Sequence, residues 1–315
     1  MKKPTLATMR KWAAQGNPKA IYELGWRYRE GRGVRKNGRR AIELYKRAAA
    51  LGSVDALFSL GWCHSQGIGV PSDPRTALEW YRKAADAGDA EAQYNVGLYY
   101  DIGRGIRRNA RLASEWYLKA AQAGDADGMR GLSDLHAEGR GMARNRRLAR
   151  QWLRKAAEAG DPAAQYNLGL ALSEARKPDD RREAVRWYRK AARQGHAGGQ
   201  VNLGDAYANG EGVRKDYRWA LHWNRKAAAQ GDEVAMFNLG IAYDFGRGVK
   251  ENPAEAVKWY RRAADRGYAF AACNLGSMYK EGRGVRKDLK KARQWLRKAK
   301  DAGDTLAADV LRRMK

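Results

Sequence analysis

Catalysis and ligand binding need particular side chains at particular spacings, and the candidates in this 315-residue chain are two cysteines, four histidines and a set of Gly-x-Gly loops. Histidine and cysteine clusters bind metals, and a thiol or hydroxyl beside a histidine can act as a nucleophile. The histidines have no metal-ligand spacing, and no Ser/His/Asp or Cys/His arrangement has local support. The Gly-x-Gly loops lack the strand and the Gly-Lys-Ser/Thr sequence of a phosphate cradle. We therefore expect no enzyme activity, no metal and no cofactor.

Tryptophan spacing indicates the elements that hold these residues. Seven tryptophans recur at intervals of 36, 36, 35, 36, 36 and 36 residues: Trp80, Trp116, Trp152, Trp187, Trp223, Trp259 and Trp295. Aligned on them, the chain divides into eight units that begin at residues 20, 56, 92, 128, 164, 199, 235 and 271 and end at residue 306. Such a period is typical of a solenoid, in which each unit buries its apolar face against its neighbours. We predict a cap over 1–19 with a partial helix at 6–14, eight repeats over 20–306, and a cap over 307–315 with a closing helix at 306–314.

Each unit predicts two short amphipathic helices. In the third unit, Ala113, Trp116 and Ala120 share one face of the second helix at i, i+3 and i+7. A short polar residue such as Asn109 precedes this helix as an N-cap, and a glycine such as Gly124 ends it in the left-handed conformation. The unit is therefore expected to form an antiparallel helical hairpin.

This pattern resembles the Sel-one-like repeats, relatives of the tetratricopeptide repeats. The seventh unit carries the family pattern in full: Ala235, Leu239-Gly240, Tyr243, Gly246-Arg247-Gly248-Val249, Asn252, Ala256, Trp259-Tyr260, Ala263-Ala264 and Gly267. The resemblance covers all eight units and implies an all-α fold, a right-handed α-α superhelix of 36-residue helix-turn-helix repeats. It also implies a non-enzymatic scaffold for protein interactions, which in bacterial members serves as an adaptor, a regulator or an immunity-type partner of a toxin.

The cysteines bear on the compartment. Cys63 and Cys273 lie in the second and eighth units. Helical layers about 10 Å apart place them on the order of 60 Å from each other, far beyond the Cα separation of about 7 Å that a disulfide tolerates. Secreted members of the family carry a disulfide pair in each repeat, and this chain does not. No segment has the apolar run of a membrane span or signal peptide. We expect a cytoplasmic monomer without a transmembrane segment.

The fifth unit departs from the pattern. Its loop, from Ser173 to Asp180, is one residue short and lacks both glycines. We interpret it as a local change in superhelical twist or a softer joint, with a specialised contact loop as the alternative.

The formal net charge is +27, and part of the excess recurs at fixed positions of the repeat. One set follows the aromatic pair of the second helix. The other lies in the loops and is expected to form a basic edge: Arg32, Arg104, Arg140, Arg247 and Arg283. A residue repeated at every period forms a stripe, and a basic stripe is either a solvated face or a binding site for an anionic partner. The alternative function is therefore a nucleic-acid-binding solenoid that uses this edge.

The first helices offer a different surface, which the resemblance places on the concave side. One row of positions reads Asn95, Asn167, Asn202, Asn238 and Asn274. An amide ladder suits an extended peptide, although the same amides can instead bond neighbouring repeats. The adjacent rows offer apolar anchors, which can equally pack between repeats: Trp26, Trp62, Leu98, Ile241 and Phe245. Since both adjacent rows lack Lys and Arg, we expect a protein or peptide partner in the concave groove.

Overall fold

A computed structural model describes residues 4–174 and 177–314, and this part of the chain is helical without a β-strand. The helices are α1 (Leu6–Ala14), α2 (Pro18–Glu30), α3 (Gly38–Ala50), α4 (Val54–Gln66), α5 (Pro74–Asp86), α6 (Ala90–Ile102), α7 (Ala110–Gln122), α8 (Ala126–Glu138), α9 (Arg146–Glu158), α10 (Pro162–Ser173), α11 (Pro178–Arg193), α12 (Ala197–Asn209), α13 (Tyr217–Ala229), α14 (Glu233–Asp244), α15 (Pro253–Ala264), α16 (Ala269–Glu281), α17 (Leu289–Asp301) and α18 (Thr305–Arg312). Each pair from α2–α3 to α16–α17 forms one repeat.

The helices group into two compact units. Residues 1–161 hold α1 to α9, and residues 162–315 hold α10 to α18. Inside each unit a helix packs against the one before it and the one after it, and α6 also meets α8, the first helix of the next repeat. This stacking of paired helices confirms the predicted all-α solenoid fold.

The helices end at the residues that the sequence marks as caps. Asn109 Oδ1 accepts a hydrogen bond from the Leu112 amide at 3.1 Å at the start of α7. At its end Gly124 has a φ of +91°, which the glycine tolerates because it has no Cβ. Asp125 then caps α8 by accepting from the Gly128 amide at 2.6 Å. One short Gly-Asp pair thus ends one helix and begins the next.

The terminal helices agree with the sequence to within two residues. The predicted partial helix is α1, with the same bounds, Leu6–Ala14. The closing helix, predicted over 306–314, is α18, Thr305–Arg312. In the first repeat α2 begins at Pro18, two residues before the predicted start of the unit.

The two helices of a repeat meet at a glycine and an aromatic ring. In the seventh repeat a Cβ on Gly240 would lie 2.4 Å from ring atoms of Tyr260, which is fully buried. The same glycine lies against the same tyrosine in the first, second, third and fifth repeats. The side chain of Tyr260 therefore packs directly on the backbone of α14, and the hairpin closes more tightly than two side chains would allow.

The fourth, sixth and eighth repeats vary this contact. In the eighth, Leu296 takes the place of the tyrosine beside Gly276. The fourth has Leu153 at the tyrosine position and Ser133 at the glycine position. The sixth keeps the glycine, Gly204, but replaces the ring with Asn224, whose Nδ2 would lie 2.8 Å from an added Cβ. An amide is smaller than a phenol ring, so the sixth repeat has less side-chain volume between its helices.

The fifth repeat differs in its second helix. α11 has 16 residues where the second helices of the other repeats have 12 or 13, because it begins nine residues before Trp187 instead of six. Pro178 occupies its first turn together with Asp179 and Asp180, and all three suit a helix N-terminus. Ala175 and Arg176, which belong to the loop interpreted as a soft joint, lie outside the described residues, so that interpretation stays a prediction.

The glycine contact yields a prediction about stability. Gly240→Ala should lower the free energy of unfolding by about 1–3 kcal/mol, because the new methyl group overpacks against Tyr260. This loss exceeds the gain of about 1 kcal/mol that alanine brings as a better helix former. Urea unfolding followed by circular dichroism measures the change. Gln294→Ala, at an exposed position of α17, is the control and should change stability by less than about 0.5 kcal/mol. A Gly240→Ala variant as stable as the parent would contradict the close contact.

Candidate functional site

Two neighbouring cavities open beside α12 in the second unit. One, of about 210 Å³, is lined by residues of the fifth and sixth repeats, and the other, of about 300 Å³, by residues of the sixth and seventh. Asp205 and Asn209 line both cavities. We call this pair of cavities the Asp205 groove. The first helices α10, α12 and α14 contribute to its wall Leu170, Asn202, Asp205, Asn238 and Ile241.

The sixth repeat creates room for the groove. Asn224, at the position of the buried tyrosine in most repeats, is itself buried and donates to the Ala220 carbonyl at 3.0 Å. Its side chain lines the larger cavity. Because an amide fills less space than a ring, the substitution leaves open volume between α12 and α14 that a tyrosine would occupy.

Asp205 is the charged group common to both cavities. Its Oδ1 accepts a hydrogen bond of 2.8 Å from Nδ2 of Asn238, which also donates to Oδ1 of Asn224 at 3.3 Å. Burial raises the pKa of Asp205 to about 6, and the hydrogen bond from Asn238 opposes this only in part. The charges of Asp232 and Glu211 raise the pKa further. The carboxyl is thus desolvated and faces negative charge.

A second aspartate occupies the same repeat position in the first unit and has different neighbours. Burial also raises the pKa of Asp134, but the arginines Arg130 and Arg140 both oppose the shift. The sixth repeat has Glu211 at the loop position where five other repeats have arginine. The replacement removes a cation from the vicinity of Asp205 and adds a carboxylate, which explains the difference.

The asparagine row makes contacts within the protein. Asn95 donates to the Glu91 carbonyl of its own helix at 2.8 Å. Asn202 and Asn274 hydrogen-bond to the hydroxyls of Tyr188 and Tyr260. Asn238 binds Asp205, and Asn167 is exposed. Of the two roles that the sequence left open, bonding between framework groups is the one with visible contacts, while Asn202 and Asn238 also line the groove.

The apolar anchors lie in several different settings. Trp26 and Trp62 are half-buried, with the guanidinium groups of Arg32 and Arg29 at 4.7 and 4.6 Å from their rings. Leu98 packs against the core of the first unit. Ile241 and Phe245 belong to the second unit, where Ile241 lines the larger cavity and Phe245 is exposed. The structure thus brings Ile241 together with Asn202 and Asn238 in the groove, whereas Trp26, Trp62 and Leu98 belong to the first unit.

Three arginines of the predicted basic edge bind the preceding repeat. Each reaches a residue 39 positions earlier: Arg104 donates to the Ser65 carbonyl at 3.1 Å, Arg140 to the Asp101 carboxylate, and Arg283 to the Asp244 carboxylate at 2.6 Å and carbonyl at 3.0 Å. Arg32 and Arg247 are exposed and lie over aromatic rings. The edge predicted for an anionic partner is therefore used in part to join repeats.

The basic residues of the second helices also have partners. In every repeat with the periodic tryptophan, a lysine or arginine three residues later lies over the ring, at 3.8 to 4.9 Å from its centroid. The preceding arginine can reach the next repeat, as Arg225 donates to the Tyr243 hydroxyl at 2.9 Å. Cation–π contacts and hydrogen bonds thus order this stripe.

Residues 4–174 and 177–314 also bear on metal binding, reactive cysteines and membrane-spanning helices. No group of His, Cys, Asp and Glu there could hold a metal ion. Cys63 and Cys273 are buried, and burial raises the pKa of each thiol to about 11, so neither is a reactive thiolate at neutral pH. None of the helices described is at once long and apolar enough to cross a membrane.

Asp205 is not among the site residues predicted from the sequence. Those residues recur along the chain, whereas Asp205 belongs to a row in which aspartate alternates with tryptophan, leucine, isoleucine and serine. The available signal was the loss of the repeat pattern in one unit, where Glu211 replaces the loop arginine and Asn224 replaces the tyrosine. In this chain the departures from the repeat, and not the repeated residues, indicate the candidate site.

The paired helices and the capped hairpins define the class as an α-solenoid of repeats. The Sel1 repeat model matches the chain eight times, at residues 18–53, 54–89, 90–125, 126–161, 162–196, 197–232, 234–268 and 269–304. The chain therefore belongs to the Sel1 repeat family, as the sequence pattern predicted.

Two solved structures are similar over nearly the whole chain. One is a protective antigen of uropathogenic Escherichia coli with an SLR fold, at 34% identity and a TM-score of 0.84, covering 97% of this chain and 66% of that one. The other is a Sel1 repeat protein from Oxalobacter formigenes, at 31% identity and a TM-score of 0.68, covering 98% and 91%. None of the curated proteins compared with the chain matches it.

The arginine contacts between repeats yield a prediction. Arg283→Met should lower the free energy of unfolding by about 1–3 kcal/mol at pH 7, because the buried Asp244 loses its cationic partner. Chemical denaturation measures this loss. Arg247→Met is the matched control at the same loop position, since Ala208 stands 39 residues before Arg247 and accepts no such side-chain bond. Equal losses in the two variants would contradict the role of the buried carboxylate.

Asp205 yields a prediction with a defined pH dependence. The folded pKa of about 6 exceeds the ordinary 3.8, so the folded protein binds the proton more tightly than the unfolded chain. The contribution of Asp205 to stability is therefore most favourable below pH 3.8 and is lost as the pH rises through 6. Asp205→Asn, which retains an acceptor for Asn238, should raise the free energy of unfolding at pH 7.5 by about 1–2 kcal/mol, with solvent screening taken into account.

The comparison of two pH values isolates this effect. Urea unfolding of the parent and of Asp205→Asn at pH 7.5 and 4.5 should show a stability difference that shrinks at the lower pH. Asp134→Asn is the control, and its gain should be smaller because Arg130 and Arg140 already favour that carboxylate. A gain that is the same at both pH values, or absent at pH 7.5, would refute the assignment.

Proposed function

We propose that the chain is a non-enzymatic interaction scaffold that binds a protein or peptide in the Asp205 groove, along the first helices of the second unit. The observation that carries this proposal is the pair of cavities that share Asp205 and Asn209 on either side of α12. Adjacent cavities on one helix suit successive side chains of an extended ligand. Membership in the Sel1 repeat family supports a protein as the partner.

The groove offers each kind of contact that a peptide requires. The Asn209 side chain is exposed at the end of α12, where its amide can pair with a peptide backbone. Leu170 and Ile241 provide half-buried aliphatic surface in the two cavities. The carboxyl of Asp205 adds a charge that fixes orientation. Such a mixture of apolar wall and few polar groups is typical of ligand sites.

In the cell we propose a role as an adaptor or regulator, or as a neutralising partner of another protein, within the cytoplasm of a bacterium. Each of these roles needs the chain to hold a partner and not to transform it. The burial and raised pKa of Cys63 and Cys273 support a reducing compartment, since both thiols are placed as core residues.

Binding of nucleic acid along the loop edge is the alternative, and the contacts of that edge favour it less. Arg104, Arg140 and Arg283 donate to groups of the preceding repeat, so their guanidinium groups are already in use. An electrostatic footprint needs several cations free to meet phosphates. Arg214 is an exposed loop residue, so a crosslinker at this position can test for contact with nucleic acid.

Site-specific photocrosslinking tests the location of the site. The photoreactive residue benzoylphenylalanine replaces Asn209 in the groove, Arg214 in the loop of the same repeat, or Lys258 on the second helix α15, all of which are exposed. In the cells that make the protein, we expect a protease-sensitive adduct from position 209 and none from position 258. A nuclease-sensitive adduct from position 214 would favour the nucleic-acid alternative, and an adduct from 258 without one from 209 would place the site elsewhere.

A further inference from the structure

We propose that the Asp205 groove takes a lysine or arginine side chain of the bound peptide, with the carboxylate of Asp205 as its anchor. This inference rests on the proposed function of the groove and adds the chemical class of the residue that it recognises.

The position of Asp205 makes its carboxylate available to a ligand. It lies on α12 between the two cavities and lines both. Asn238 engages Oδ1, and no described residue donates a hydrogen bond to Oδ2. A cation that enters either cavity therefore finds a fixed acceptor with one oxygen held in place by Asn238.

The charges around Asp205 favour the binding of a cation. Glu211 and Asp232 are the charged groups that act on its carboxyl, and both are negative. Arg181 and Arg247 line one cavity each, yet neither lowers the pKa of Asp205. Arg247 instead lies over the rings of Tyr217 and Phe245, at 5.8 and 5.4 Å from their centroids. A desolvated carboxylate without a cation gains most from a ligand that supplies one.

The walls of the cavities select the kind of cation. Ala206 and Val185 line the first cavity, and Leu221, Leu239 and Ile241 line the second. Lysine and arginine bury a long aliphatic stem along such a surface and carry the charge at its tip. A metal ion would need a cluster of ligands, and no such cluster occurs in the part of the chain that is described.

The charge of the second unit favours this site. The fifth, seventh and eighth repeats each carry a net positive charge, whereas the sixth repeat, residues 199–234, has as many acidic as basic side chains. Within the second unit a basic residue is therefore least disfavoured at the sixth repeat. Asp134, with Arg130 and Arg140 beside it, lacks this property and provides a matched control.

Defined peptides test the anchor in the full chain. The probes are acetylated and amidated alanine heptapeptides with lysine, arginine, norleucine or glutamate at the centre. Methyl NMR of isoleucine-labelled protein follows Ile241, which lines the second cavity and is one of six isoleucines. The lysine and arginine peptides should shift the Ile241 methyl and bind at least tenfold more tightly than norleucine, which has the same aliphatic length without the charge.

Substitutions decide whether Asp205 is responsible. Asp205→Asn should reduce the affinity of the lysine and arginine peptides to that of norleucine, and Asp134→Asn should leave the preference unchanged. Equal binding of lysine and norleucine, no shift of Ile241 by any peptide, or a preference that survives Asp205→Asn would each overturn the anchor. The crosslink from position 209 does not depend on Asp205, so an adduct there would show that the groove binds its partner by other contacts.

Discussion

The packing of a tyrosine ring on a glycine backbone is the contact on which five of the eight helical hairpins depend. Gly240 and Tyr260 show it most closely, and the same pair recurs in the first, second, third and fifth repeats. The contact fixes how near the first helix lies to the second, and so determines which side chains the first helices present together. Where the ring is missing, as at Asn224, the fold persists through a side chain–backbone hydrogen bond and a cavity opens. A local departure from the repeat thereby opens one of the two cavities in which we propose that a partner binds.

The excess of positive charge has a largely structural explanation. Loop arginines such as Arg140 and Arg283 tie one repeat to buried carboxylates of the repeat before, and lysines lie over the periodic tryptophans. Removing the loop arginine in the sixth repeat therefore has a double effect. The sixth repeat lacks the arginine that joins other repeats to the one before. In its place stands Glu211, whose negative charge raises the pKa of Asp205. This one exchange accounts for part of the negative charge that acts on Asp205, beside its burial and the charge of Asp232.

The sequence predicts the repeats and their helices well because caps and apolar spacing are local. The glycines that follow the second helices and the aspartates after them act within a few residues, and the predicted bounds of α1 agree with the structure. The groove was harder to predict because it joins residues of neighbouring repeats, such as Asn238 and Asp205, which lie 33 positions apart. Whether an asparagine is available to a ligand or is bonded to a neighbouring repeat depends on contacts between repeats. The pattern within one repeat does not show these contacts. The start of α11 shows the same limit, since this helix begins three residues earlier relative to its tryptophan than the other second helices do.

In the proposal above, Asp205 is a desolvated carboxylate that binds a cation of the ligand. Its pKa can be measured directly from the carboxyl carbon resonance, in the free protein and with a saturating lysine-centred peptide. We expect a pKa of about 6 in the free protein and a fall to the ordinary aspartate range or below on binding, since a cation favours the charged form. A pKa near 4 in the free protein, or one that the peptide leaves unchanged, would contradict it.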